Sequence, residues 1–274
     1  MKIGFLGGGN MATALIGGMI ERGFAAADIR VVELDPGSRE RLEARFGVTT
    51  TATPDVRVFA ADVVVLAVKP QQMKAALASF AGQVHDALVI SIAAGLRLAD
   101  IGRWLGKDGA PCQRLVRCMP NMPALIGAGI TGMYAVPTVD DAGREAAAKI
   151  LAAVGATVWV EEEAQLDAVT GISGSGPAYV FHFIEALEAA GVAQGFDAVT
   201  ARRLAIETVL GSARLAAASD DTPATLREKV TSKGGTTAAA LARLAEAGWH
   251  DALLDAVNAA SVRGRELGEQ FGKD

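Results

Sequence analysis

The stretch "KIGFLGGGNMATALIGGMIERG", residues 2–23, sets three consecutive glycines between a short apolar run and a segment with helical spacing. Gly7, Gly9 and Ala12 spell G-x-G-x-x-A at the junction of an expected strand and an expected helix. Each position has a physical task. Gly7 permits the tight turn, Gly9 lets the backbone approach a pyrophosphate, and Ala12 lets helix and strand pack closely. The free N–H groups and the dipole at the helix start favour an anion there. A glycine-rich turn that binds nothing is the competing explanation, and the strand-to-helix context weighs against it.

Moving outward, a dinucleotide fingerprint expects an acid at the end of the second strand, where it meets the ribose hydroxyls. Glu33 in "RVVELDPGSRER", residues 30–41, stands in that place, with Asp35 close behind. A carboxylate there repels a 2′-phosphate and tilts the cofactor to NADH. Arg39 and Arg41 are near enough in sequence to reach a 2′-phosphate, so NADPH stays open.

Short β-branched runs, "KIGFLG", "DIRVVEL", "DVVVLAV", "ALVISIA", "RLVRCM", "GITGMYAV" and "ATVWVE", alternate with helix-length segments. Strands separated in this way imply crossover units and a mostly parallel Rossmann-type sheet covered on both faces. After Glu161, Glu162 and Glu163 the texture changes. Val169, Ile172, Gly176, Val180, Phe183, Ile184 and Leu187 fall at helical spacing, and alanine-rich segments without a convincing strand follow. The expected organisation is α/β: a nucleotide-binding domain over 1–162 and an all-helical domain over 163–274. Thr222 and Pro223 mark a helix start, and Gly191 and Gly248 are expected at helix ends. Helices so rich in alanine offer little large apolar surface, which points to a partner chain.

Composition narrows the function classes. Of 274 residues, 51 % are hydrophobic and 21 % charged, with a formal net charge of −5. The chain has no lysine or arginine run, so neither nucleic acid nor an anionic membrane is an expected partner. Cys112 and Cys118 are too few for a disulfide framework and lack zinc-site spacing, which fits a reducing cytoplasm; no metal site is expected. The glycines at 7–9 cut the apolar run after Lys2 too short for a secretory signal, and no apolar stretch approaches the ~18 residues of a membrane helix.

Three stretches fall at or just after expected strand ends, where open parallel sheets bind ligands: "AVKP" at 67–70, "SIAAG" at 91–95 and "RCMPNMP" at 117–123. The helical half holds two glycine-rich interruptions, "TGISGSGPAYVF" at 170–181 and "TSKGGTTAAAL" at 231–241. In the second, Gly234, Gly235, Thr236 and Thr237 open a helix whose exposed N–H groups suit a carboxylate. In the first, Gly174, Gly176 and Pro177 mark either close helix approach or room for a ligand. His85, His182 and His250 lie in none of these stretches and are expected to be structural or surface residues.

"GFLGGGNMA", "AVKP", "SIAAG", "RCMPNMP", "GISGSGPAYVF" and "SKGGTT", in this order and over nearly the whole chain, resemble the pyrroline-5-carboxylate reductases. The resemblance implies NAD(P)H-dependent reduction of the C=N bond of 1-pyrroline-5-carboxylate to L-proline. It also implies a homodimer through the helical domain and, commonly, a decamer. Carried over by motif, Leu6, Gly7, Gly8, Gly9, Asn10 and Met11 meet the pyrophosphate, with Glu33 nearby. Ala67, Val68, Lys69 and Pro70, with Ala93, Ala94 and Gly95, approach the ribose and nicotinamide. Ser232, Gly234, Gly235, Thr236 and Thr237, with Met119, Asn121 and Ser175, form the substrate site. Thr237 is the catalytic candidate, through a hydrogen bond to the ring nitrogen. A cyclic imine that binds protonated is already electrophilic, so no histidine is required.

The chain departs from the family pattern at Lys233, where proline is usual, and at Met122, where threonine is usual. "ELDPG" replaces the serine or asparagine-arginine signature for a 2′-phosphate, which sets the residues against the family's NADPH habit. Another imine reductase, a β-hydroxyacid dehydrogenase or a nucleotide-sensing module are the rival classes. The dehydrogenase would place a lysine in its interdomain helix, and residues 171–194 contain none.

Overall fold

The computed structural model describes residues 1–53, 55–84 and 86–273. Runs such as "IGFL", "VVVL" and "LVIS" are buried at every position, as strands covered on both faces must be. Eight strands form one sheet: β1 (Ile3–Leu6), β2 (Ile29–Val32), β3 (Thr49–Thr51), β4 (Val63–Leu66), β5 (Leu88–Ser91), β6 (Leu115–Met119), β7 (Gly129–Ala135) and β8 (Gly155–Trp159). Their spatial order is β3-β2-β1-β4-β5-β6-β7-β8, parallel except that β7 runs antiparallel to β6. The sheet is the Rossmann arrangement with a two-strand extension. All seven strands read from the sequence are present. β3 is not among them: its three threonines are β-branched, but so short and polar a run at a sheet edge lacks the apolar residues that mark the other strands.

Successive strand residues point to opposite faces. Ile3, Phe5, Val63, Val65 and Ile90 join one core with Leu15, Ile16 and Met19 of α1 (Asn10–Glu21), while Leu6, Val64, Leu66 and Val89 join a second. Full burial of each such side chain stabilises the fold by roughly 1.5–3 kcal/mol. The remaining helices of this part are α2 (Pro36–Phe46), α3 (Val56–Phe59), α4 (Pro70–Ala78), α5 (Leu98–Leu105), α6 (Asp141–Leu151) and α7 (Gln165–Val169). Asp35 caps α2 by accepting from the Ser38 N–H at 2.6 Å, and Gly47 ends it in the left-handed region.

Packing divides the chain into two units, Met1–Ser175 with Ala259–Asp274, and Gly176–Asn258. These units are a different division from the textural boundary at 162/163: α7 and the last turns of the terminal helix pack with the sheet. The second unit comprises α8 (Gly176–Ala193), α9 (Ala198–Ala217), α10 (Pro223–Lys229), α11 (Thr236–Glu246) and the start of α12 (Trp249–Lys273). Asp197 caps α9, and Thr222 caps α10 with Pro223 following, as expected. Gly248 is left-handed at φ +68°. Gly191 is not a helix end. It lies inside α8, where a Cβ would come within 2.9 Å of the Ala201 Cβ, so its smallness serves the approach of α9. The turn out of α8 is made by Gly195, at φ +97°.

This helical unit lacks a core of its own size. Only Ala201 and Ala205 are buried within it, whereas Phe181, Phe183, Leu204, Leu215 and Val180 are exposed. No helix among the described residues is long and apolar enough to cross a membrane.

Candidate functional site

β1 lies between β2 and β4, the point at which the order of parallel strands reverses and loops at the C-terminal ends leave a crevice. The turn after β1 opens there. Gly7 adopts φ +100° and donates to the Val32 carbonyl at 2.8 Å, and a Cβ on it would lie 2.7 Å from the Ala67 carbonyl oxygen. Gly9 differs: a Cβ there would meet nothing within 4 Å. Packing therefore requires Gly7 to be glycine, but leaves the space beside Gly9 open. Gly9 is also the N-cap of α1 and has no side chain to close its first turn, so the helix start is free to meet an anion. Ala12 is buried where α1 meets the sheet.

Glu33 is built into this turn. Its Oε2 accepts from the Gly8 N–H at 2.7 Å, and its Oε1 accepts from the Asp35 N–H at 2.8 Å. Arg39 is engaged by the backbone, donating to the carbonyls of Glu33 and Leu34 at 2.8 Å each. Arg41 donates to the Ser38 hydroxyl at 2.7 Å. Asp35 is held below the usual carboxylate range by its hydrogen bonds to Ser38. A cleft of about 450 Å³ borders the turn, lined in part by Gly8, Gly9, Asn10, Thr13, Ser38 and Arg41. Its size suits a cofactor fragment. Open space at Gly9, an uncapped helix start and a fixed carboxylate together fit a dinucleotide.

The other strand ends face the same edge. The Ala67 N–H donates to the Leu6 carbonyl at 2.8 Å, tying the end of β4 to that of β1, and Lys69 is the exposed N-cap of α4 ahead of Pro70. After β5, Ala93 is buried, Ala94 is exposed and Gly95 adopts φ +82°. A Cβ at Gly95 would lie 3.3 Å from the Gly268 nitrogen, because the end of α12 runs against this loop.

The segment after β6 has a structural role that the sequence reading does not assign. The Asn121 side chain is buried, donates through Nδ2 to the Ser173 carbonyl at 3.1 Å and accepts through Oδ1 from the Ile130 N–H at 3.0 Å. Met119 lies against Gly174, where a Cβ would come within 2.6 Å of its methyl. The stretch they brace, Thr170–Gly174, is one π-helical turn in which the Ser175 N–H donates to the Thr170 carbonyl at 2.8 Å. The glycine-rich interruption is thus a widened turn within a continuing helix, a feature often found at functional sites.

In the helical unit, Gly234 takes φ +72°, and Gly235 donates to the Ser232 carbonyl at 3.0 Å and precedes α11 as its N-cap. A Cβ at Gly235 would collide with the Ser232 hydroxyl, so that hydroxyl lies over the helix start. Thr236 and Thr237 form the first turn, again without a capping side chain at the N-cap. Lys233 is exposed.

Other titratable groups offer no competing centre. Burial pushes the Cys118 thiol, and less strongly that of Cys112, above its ordinary range, away from thiolate chemistry. His182 and His250 are exposed beside Glu185 and Asp251, and His85 lies outside the described residues. Among the described residues no three His, Cys, Asp or Glu side chains cluster as metal ligands.

Comparison with known proteins adds the decisive observation. The curated pyrroline-5-carboxylate reductase of Pseudomonas aeruginosa is 44 % identical over 99 % of this chain and 98 % of its own. The chain belongs to the pyrroline-5-carboxylate reductase family. A family model described as pyrroline-5-carboxylate reductase dimerisation matches residues 163–267, and one described as NADP oxidoreductase, coenzyme F420-dependent, matches residues 2–95. The solved reductase of Coxiella burnetii is 39 % identical, with a TM-score of 0.89 over 97 % of this chain and 98 % of that one. That of Plasmodium falciparum, solved with NADP bound, is 27 % identical with a TM-score of 0.84 over 98 % of each. The reductase fold and its NAD(P)-dependent oxidoreductase class follow.

Residues to which the motif reading gives no role form a partly buried ion network beside the Ala93–Gly95 loop. Arg117 on β6 meets Glu163 at 3.2 Å and Asp167 at 3.3 Å, and Asp167 also meets Arg97 at 2.7 Å. An arginine inside the strand run "RLVRCM" is the available sequence signal, since a charge there must find partners.

Proposed function

We propose that the chain reduces the C=N bond of 1-pyrroline-5-carboxylate to L-proline, with NADH preferred over NADPH. It acts as a homodimer or a multiple of one, commonly a decamer in the family, in the cytoplasm and without nucleic acid or membrane partners. The observation that carries the reading is full-length membership of the reductase family with both anion-ready helix starts intact. Residues 1–162 serve the nucleotide, and 163–274 serve substrate and dimerisation.

The first-turn N–H groups of α1 and the backbone of Leu6–Met11 hold the pyrophosphate, and Glu33 holds the adenosine ribose. Ala67–Pro70 and Ala93–Gly95 border the ribose and nicotinamide. When bound, the reduced nicotinamide supplies the hydride. The first turn of α11, with Ser232, Gly234 and Gly235, holds the substrate carboxylate, and Lys233 adds a cation nearby. Thr237 hydrogen-bonds the ring nitrogen and positions it, in a site where orientation is the main requirement. Met119, Asn121 and Ser175 act on the substrate side by shaping the π-turn.

Preference for NADH rests on Glu33, whose carboxylate is fixed by two N–H bonds, and on Arg39, whose guanidinium is committed to backbone carbonyls. A 2′-phosphate would meet a negative charge that cannot readily turn away. Loss of absorbance at 340 nm with pyrroline-5-carboxylate, measured with each cofactor in turn, tests both statements. Turnover with NADH at higher kcat/KM is expected, and Glu33→Ser should move the ratio toward NADPH by on the order of tenfold. A pure, folded protein that oxidises neither cofactor would overturn the reading.

A further inference from the structure

The loop that follows β5 is tied at both ends and open in the middle. At its start the Ile92 N–H donates to the Leu66 carbonyl at 3.1 Å, and the Ala93 N–H reaches the Ser91 hydroxyl at 3.4 Å. At its exit the Leu98 N–H donates to Glu163 Oε1 at 2.8 Å, and Arg97 Nη2 meets Asp167 Oδ2 at 2.7 Å. Ala94 alone between Ser91 and Leu98 is exposed. Behind the two carboxylates, Arg117, with only 3 % of its side chain accessible, spans Glu163 and Asp167. On the other side, Gly268 of α12 lies against Gly95, and a Cβ at Gly268 would lie 3.4 Å from Arg97 Nε. Two arginines and two acids therefore compensate one another, with Arg117 and Asp167 buried and Arg97 and Glu163 partly open to water.

Such a network is a poor device for stability alone, since apolar side chains of similar volume commonly do as well. Its geometry does something packing cannot. The Arg97 side chain donates through Nη2 to Asp167 on α7, and the fork of Arg117 donates to both Glu163 and Asp167, so the end of the loop is referred to α7 and, through Arg117, to β6 by charge-assisted bonds. We infer that Arg97 is a positioning residue for hydride transfer: anchored by Asp167 and backed by Arg117, it sets the Ala93–Gly95 loop that borders the nicotinamide. The inference rests on the proposed reductase reading, which assigns that loop to the nicotinamide.

Three variants of the full-length chain test it: Arg97→Gln, Arg97→Lys and Asp167→Asn. Each is compared with wild type for kcat, KM, melting temperature, and the primary deuterium isotope effect with 4-deuterated NADH. NADH fluorescence on binding is recorded without substrate. Arg97→Gln should lower kcat by about 10- to 100-fold, as expected for a small misplacement of reacting groups. Its isotope effect should rise, the KM for pyrroline-5-carboxylate should stay within about twofold, and the fluorescence gain of bound NADH should fall because the ring is held less firmly. Arg97→Lys, which can still reach Asp167, should recover much of kcat, and Asp167→Asn should resemble Arg97→Gln.

Unchanged kcat, isotope effect and bound-NADH fluorescence in Arg97→Gln would overturn the inference. So would a loss of kcat matched by the loss of folded protein with the isotope effect unmoved. A wild type that binds NADH yet does not turn over would overturn the reductase reading, and with it the role in hydride transfer, while an unchanged bound-NADH fluorescence in Arg97→Gln beside an active wild type would overturn the role of Arg97 alone.

Discussion

Gly7 and Gly9 stand two residues apart and do different things. Gly7 is demanded by the protein itself, through its φ of +100° and the nearby Ala67 carbonyl, whereas the space beside Gly9 is open. Gly7→Ala should therefore lower the melting temperature, while Gly9→Ala should leave it unchanged and raise the Kd for NADH in a fluorescence titration. Equal loss of stability in both would show that the open space at Gly9 is not reserved for a ligand. Thr237 is a residue-scale claim of another kind. Thr237→Ala should reduce kcat on the order of 100-fold with NADH binding unaffected, and Thr237→Ser should restore most of it. Unaltered steady-state kinetics in Thr237→Ala would remove Thr237 from the mechanism. The motifs made these residues legible, because each depends on local backbone geometry that a few neighbouring residues determine. Asn121 was harder to read: its motif marked it, but its partners, Ser173 and Ile130, come from distant segments.

Among the elements, helix starts carry most of what was legible. Asp197 accepts from the Thr200 N–H at 3.0 Å and from the Thr200 hydroxyl at 2.7 Å, and these bonds hold its carboxyl below the ordinary carboxylate range. A folded-state pKa lowered in this way contributes stability that is present above the unfolded value, about 4, and is lost as pH falls through the folded value. Asp197→Ala should therefore melt at a lower temperature than wild type at pH 7, and thermal melts should show the difference shrinking as the pH is taken below about 4. A constant difference down to acid pH would place the cap's contribution elsewhere. Gly191 shows where element reading stops. Glycine in a helix is ambiguous between an end and a close approach, and only the position of Ala201 resolves it. The π-turn at Thr170–Gly174 is similar: the sequence marked an interruption, but its widened register depends on bracing by Asn121 and Met119.

At the level of the whole molecule, the helical unit buries two alanine side chains and exposes Phe181, Phe183 and a series of leucines and valines. A set of helices with so little interior needs another surface, which agrees with the match of residues 163–267 to a dimerisation model. Light scattering should give twice the mass of one chain or a higher multiple, and the melting temperature should fall on dilution. A monomer whose melting temperature does not depend on concentration would contradict this.

By itself the sequence determined the α/β class, the order of the chemistry-bearing loops along the chain, and the two anion-ready helix starts. These follow from periodicity and from glycine, proline and capping residues, whose effects act over a few residues. Only the tertiary structure decided that β3 closes the sheet edge, that Gly191 and Gly268 are contact glycines, and that Glu33 is pinned by the turn it faces. It likewise decided that Arg97, Arg117, Glu163 and Asp167 meet. Buried charges are placed by partners far away in sequence, and the requirement that each be compensated selects the fold's long-range contacts without appearing in any local pattern.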